Sequence, residues 1–259
     1  MKSGMLFSIA LILVLLPLSL WAQTAPGGGL LGSAHDFTLV HGTITPRTAG
    51  GAPVGLCTYC HTPHKAAQTV LLWNHTLSVN TFSWSDATTT IGGTPLPTIN
   101  TNWSGPTNKC LSCHDGSVAV ADLLWFNGKA WQGANALSTF KLSQAPEYQT
   151  ATTGGDLAGN HPVAFPYPYN NSPNTYNGVT TGNQVIVTEF VADPTASQIR
   201  LFNDVGETVS AGPVSGHTGM ECSTCHDPHT GPTVQDLFLI RGSLGGSDSN
   251  YLCLKCHRK

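Results

Sequence analysis

Every cysteine in this chain belongs to a Cys-x-x-Cys pair with a histidine directly behind it, and the pattern occurs four times: Cys57, Cys60, His61; Cys110, Cys113, His114; Cys222, Cys225, His226; and Cys253, Cys256, His257. Cys-x-x-Cys-His is the attachment sequence of c-type haem, in which both thiols add to porphyrin vinyl groups and the adjacent imidazole binds the iron from one face. Disulfides would account for the eight cysteines but not for a histidine after each pair. Zinc would gather four nearby ligands, whereas the motif histidines stand 53, 112 and 31 residues apart. The expected cofactors are therefore four c-type haems, with the eight cysteines as attachment points and His61, His114, His226 and His257 as proximal iron ligands.

The chain opens as an exported protein would. Met1 and Lys2 lead into an apolar run from Leu6 to Leu20, and Ala22 offers a small residue for cleavage before Gln23. A signal peptide over residues 1–22 leaves residues 23–259 for one tetrahaem domain, and c-type haem is attached after translocation. The run is too short for a comfortable membrane span, the alternative being an uncleaved anchor. Charged residues are only 10% of the sequence and the net charge is −3, so nothing suggests a nucleic-acid partner. Each haem brings a large apolar surface, so stacked haems can form the core, and the apo chain is expected to be largely unfolded.

Aligning the motifs by their flanks reveals an internal repeat. The first and third read Cys-x-x-Cys-His-x-Pro-His, through His64 and His229, while the second and fourth share Cys-Leu-x-Cys-His. The order is that of a duplicated two-haem unit. Between the halves lies a Cys-free stretch, with the insert proper at about 127–215. Ser117 to Phe126 reads as a short helix continuing the second motif. Gly, Pro, Asn and Thr clusters follow, and Val185–Val187 and Ile199–Phe202 are β-type runs that could pair as a hairpin. The fold class expected is a mostly irregular multihaem cytochrome c, with short helices at the haem motifs, a small β-hairpin insert and a core of stacked haems.

The remaining histidines decide the kind of haem. Methionine occurs only at positions 1, 5 and 220, and Met220 is too close to Cys222 to reach its haem. Seven histidines lie outside the motifs, more than the four needed to give each iron a second imidazole. Bis-histidine ligation closes the iron to substrate and favours electron exchange at low potential. His35, His64, His75, His161 and His229 are the distal candidates. His64 and His229 follow their proximal histidines by three residues, so they point to neighbouring haems rather than their own. His41 and His217 read as surface residues.

The succession of Ala34–Phe37, Cys57–His64, Leu72–His75, Cys110–Gly116, His161–Val163, Cys222–His229 and Cys253–His257 resembles multihaem cytochromes c with doubled motifs. It is most similar to the tetrahaem outer-surface cytochromes of metal-reducing bacteria that polymerise into conductive filaments. That resemblance implies a continuous stacked chain of haems, a homopolymer with a histidine shared between subunits, other redox cytochromes as partners, and an extracellular acceptor such as metal oxide. His35, behind Gly27-Gly28-Gly29, is the expected bridging ligand, the competing arrangement being a bond to a haem of its own chain. The expected function is electron transfer at the outer surface or outside the cell. The alternatives are a periplasmic electron shuttle and a multihaem enzyme such as a nitrite or hydroxylamine converter. The enzyme would call for an open iron, whereas all four motifs end in histidine.

Overall fold

The computed structural model describes residues 30–31, 35–38, 48–49, 52–53, 55–67, 70–120, 122–126, 129–132, 155–182, 187–197, 199–229 and 252–258. The expected signal peptide and His41 lie outside these residues. Among the described residues no helix is long and apolar enough to cross a membrane.

Regular structure is sparse and short. Two-residue strands β1 (Thr48–Ala49) and β2 (Ala52–Pro53) pair ahead of the first motif, which opens on a 3-10 turn at Leu56–Tyr59. Helix α1 (Pro106–His114) carries the whole second motif. It starts where Pro106, which lacks an N–H, loses nothing by standing in the first turn. A left-handed Gly116 (φ 68°) follows its end.

Residues 117–126 do not continue that helix, contrary to the period-three reading. Asp115 instead draws the Ser117 N–H (2.8 Å) and hydroxyl (2.7 Å) onto its carboxylate, an Asx turn that breaks the helical path. Leu123, Leu124 and Trp125 then run in strand β3 (Asp122–Phe126), antiparallel to β4 (Lys129–Gln132).

A four-stranded antiparallel sheet of order β5-β10-β8-β9 anchors the second half: β5 is Phe165–Pro166, β8 Phe202–Asn203, β9 Ser210–Ala211 and β10 Thr218–Met220. Beside it, β6 (Thr175–Tyr176) and β7 (Val179–Thr180) form a hairpin whose turn residues Asn177 and Gly178 both have positive φ, the conformation a two-residue hairpin turn demands. The hairpin expected between Val185–Val187 and Ile199–Phe202 is not the one formed. Val187 starts a 3-10 turn (Val187–Glu189), Phe202 pairs with Ala211 and Gly219, and Val185 and Ile186 lie outside the described residues. Strand β10 pairs with β5 and β8 and leads directly into helix α2 (Cys222–Cys225), so the sheet delivers the third motif.

Apolar packing occurs in small patches. Tyr167, Ile199, Leu201 and Met220 pack with Leu252 and Cys256 of the fourth motif, Phe82, Trp84, Ile99 and Leu111 form a second patch, and Tyr176, Phe202 and Val209 a third. Met220 is buried in the first of these. Gly219 is required there, since a Cβ would fall 2.2 Å from the Tyr176 ring.

Candidate haem-binding site

Each motif begins on a helical turn, and hydrogen bonds tie the motifs to one another. Asn74, fully buried, joins the first motif to β3: its amide donates to Thr58 O (2.6 Å) and Trp125 O (2.9 Å), its carbonyl accepts the Trp125 N–H (2.9 Å), and its own N–H meets Cys60 O (2.8 Å). Glu221 does the same for the second and third. Its carboxylate accepts the Thr107 N–H at the start of α1 (2.8 Å), Trp103 Nε1–H (3.0 Å) and Tyr176 O–H (2.7 Å). Its backbone N–H meets Thr224 Oγ1 at 2.9 Å, closing a capping box on α2. Burial pushes the Glu221 carboxyl upward, against the three donors. Next to it Lys109 is also buried, donating from Nζ to Ser104 O (2.6 Å), and burial lowers its pKa to about 8.

Helices α1 and α2 meet closely enough for the Cys222 N–H to bond Thr107 Oγ1 (3.1 Å) and for the Cys110 and Cys222 thiols to interact. Burial pushes the Cys60, Cys113 and Cys256 thiols up to about 12 and Cys225 to about 11. A thioether at these places has no proton to lose, so the cost of burying a thiolate vanishes.

The histidines come together in facing pairs. His61 and His229 have ring centres 6.1 Å apart and planes 20° from parallel, His35 and His114 lie 6.0 Å apart, and His161 and His257 lie 6.4 Å apart. Two imidazoles bound to one metal through bonds of about 2 Å would place their ring centres about 6 Å apart, so the donor set fits an axially ligated haem iron. Nitrogen use agrees with this. Nδ1 of His61 meets Leu71 O (2.6 Å), Nδ1 of His161 meets Pro162 O (2.9 Å) and Nδ1 of His229 meets Asp227 Oδ1 (3.2 Å), so in each ring these bonds use Nδ1 and not Nε2. Burial, with His229 and His226 nearby, lowers His35 to about 4, and burial, with His35 and His226, does the same for His114, keeping both rings in the neutral form that a metal needs.

The other candidates behave differently. His75 is buried with Nδ1 2.9 Å from Thr76 O and Nε2 2.7 Å from Ala119 O, beside Cys113 Sγ at 3.6 Å, so both ring nitrogens meet backbone carbonyls. His64 is exposed beside the first motif and His226 is exposed at the end of α2. His217 is half exposed and paired with Asp204 at 3.3 Å.

Around His161 and His257 lies a cavity of about 410 Å³ lined also by Phe165, Tyr167, Phe190, Met220 and Cys256. The Phe190 ring lies 4.8 Å from that of His257, and backbone bonds from Val191 N to Cys256 O (2.9 Å) and Arg258 N to Glu189 O (2.6 Å) dock the fourth motif on the insert. The sequence reading missed Asn74, Glu221, Tyr167 and Phe190. Asn74 and Glu221 touch haem motifs directly in sequence or are next to a quoted one, but a buried polar hub has no periodicity to announce it.

The family described as doubled CXXCH motif matches residues 213–259, which span the third and fourth motifs. No curated protein matches the chain. The family match supports a multihaem c-type cytochrome with covalently bound haem and a role in electron transport.

Proposed function

We propose that the chain carries four covalently attached c-type haems, each iron held between two histidines, and passes electrons among them. The observation that carries this reading is the set of three histidine pairs at metal-sharing distance, each containing one motif histidine: His61 with His229, His114 with His35, and His257 with His161. His226 then takes His64 by exchange, since His229 of the third motif serves the first. His75 is a buried clip for the second motif rather than a ligand.

When bound, haem supplies one-electron chemistry. The chain's residues do the rest. Two cysteines would hold each porphyrin, the paired imidazoles would hold the irons and keep substrate away from them, and Leu71 O, Pro162 O and Asp227 orient three of the rings. Irons held by two histidines each would favour an electron carrier over a nitrite or hydroxylamine converter.

The apolar run from Leu6 to Leu20 supports export, and the resemblance to filament-forming tetrahaem cytochromes supports a filament subunit acting at the cell surface, with other cytochromes and a metal oxide as redox partners. On this reading His35 serves a haem of its own chain and every iron takes both histidines from one chain, so the filament would be joined without an axial bond between subunits. The holoprotein should give four haems per chain in a pyridine haemochrome assay, with low-spin spectra in both redox states. Fewer haems, or a high-spin band in the intact protein, would reject the reading. Electron cryomicroscopy of the native extracellular fraction tests the filament.

A further inference from the structure

Thr62 and Asp227 occupy the same place in the duplicated Cys-x-x-Cys-His-x-Pro-His segment, and the histidine two residues on meets different chemistry in each half. In the first half the Thr62 hydroxyl is engaged by backbone, donating to His64 O (3.0 Å) and accepting the His64 N–H (3.3 Å). In the second half Asp227, its side chain 6% exposed, faces the His229 ring with Oδ1 3.2 Å from Nδ1 and also accepts the His229 N–H at 2.9 Å. Its other oxygen takes the Arg200 guanidinium, which fixes the carboxylate from the insert side. A ring N–H aimed at a carboxylate makes the opposite ring nitrogen a richer donor, and a richer axial donor stabilises ferric over ferrous iron.

We propose that Asp227 is a positioning residue that acts through His229 to hold the haem of Cys57 and Cys60 at a lower reduction potential than its duplicate at Cys222 and Cys225, ranking the two halves of the repeat in redox order. The inference rests on the pairing of His229 with His61. Without such a difference, duplicated sites of the same ligand set would have no built-in direction between them.

Spectroelectrochemical titration of the holoprotein carrying Asp227→Asn tests it. One of the four midpoints should rise, by about tenfold in the reduction equilibrium or about 59 mV for one electron, with all haems low-spin. Asp227→Thr, which copies the first half, should do the same, and Asp227→Glu should restore the original value. Four unchanged midpoints in a low-spin variant overturn the inference. His229→Ala separates this from the pairing itself: it should turn one iron high-spin, and if it does not, the pairing is wrong. Where the Asp227 variants lack full haem, the ferric electron paramagnetic resonance spectrum of the unaltered protein decides. It should contain one low-spin signal with its g-values drawn together, lost in His229→Ala, and the absence of that signal overturns the inference.

Discussion

Glu221 shows how one side chain can hold two cofactor motifs in register. It stands immediately before Cys222 and reaches the first turn of the helix that bears Cys110, so its carboxylate sets the separation of the two motifs together with the bond from the Cys222 N–H to Thr107 Oγ1. The site is tight, since a Cβ on Gly105 would fall 2.6 Å from Glu221 Oε1. Glu221→Ala would leave the Thr107 N–H, Trp103 Nε1–H and Tyr176 O–H without that acceptor, and each buried donor so orphaned costs about 1–3 kcal/mol. We expect a loss of about 3–5 kcal/mol, read as a lower thermal midpoint of the holoprotein, with Glu221→Gln, which keeps one acceptor oxygen, losing less. The four Cys-x-x-Cys-His motifs were legible residue by residue, because their spacing lies within five consecutive positions, and the family match covers the third and fourth. Glu221 was not, because nothing local distinguishes a buried glutamate from a solvated one. Its partners stand up to 118 positions away in the chain.

At the scale of elements, the insert is a docking platform rather than a spacer. The fourth motif rests on it through the segment around Phe190 and through Tyr167, whose hydroxyl donates to Val191 O (2.6 Å) and lies 3.3 Å from Cys256 O. Tyr167→Phe removes that link while keeping the ring in the patch with Leu252 and Cys256. The expected cost is about 1 kcal/mol, and hydrogen exchange of the amides in 252–258 should accelerate without loss of the haem. The β-rich character of parts of the insert was legible in its turn residues and β-branched runs. The partners were not, because strands of two or three residues carry too little alternation to specify register, and the sheet is instead set by β10 running into α2. The misread helix at 117–126 has another cause: the Asp115 carboxylate captures Ser117 and breaks the helical path, and of the three apolar residues at period three only Leu124 lies in β3.

For the whole molecule, the proposed ligand pairs do not respect the duplication. His229, from the second half, faces His61 in the first, and His161, from the insert, faces His257 at the far end. The halves are therefore not two independent dihaem modules. A fragment ending at residue 154, matured with haem, should hold both attachments of the first half yet leave the His61 iron without its His229 imidazole. Magnetic circular dichroism should then report a high-spin or weak-ligand iron that turns low-spin on adding free imidazole.

The crossed pairing also puts maturation on a clock. His229 lies 168 residues beyond His61, so a haem attached at the first motif after translocation could be completed only once the third motif had crossed as well. Until then a haem on Cys57 and Cys60 would have its first imidazole but not its last. His64, only three residues behind His61, is present throughout. On the proposed pairing the final ligand arrives late, so completion of the earliest haem would report that the third motif has crossed and has folded against the first.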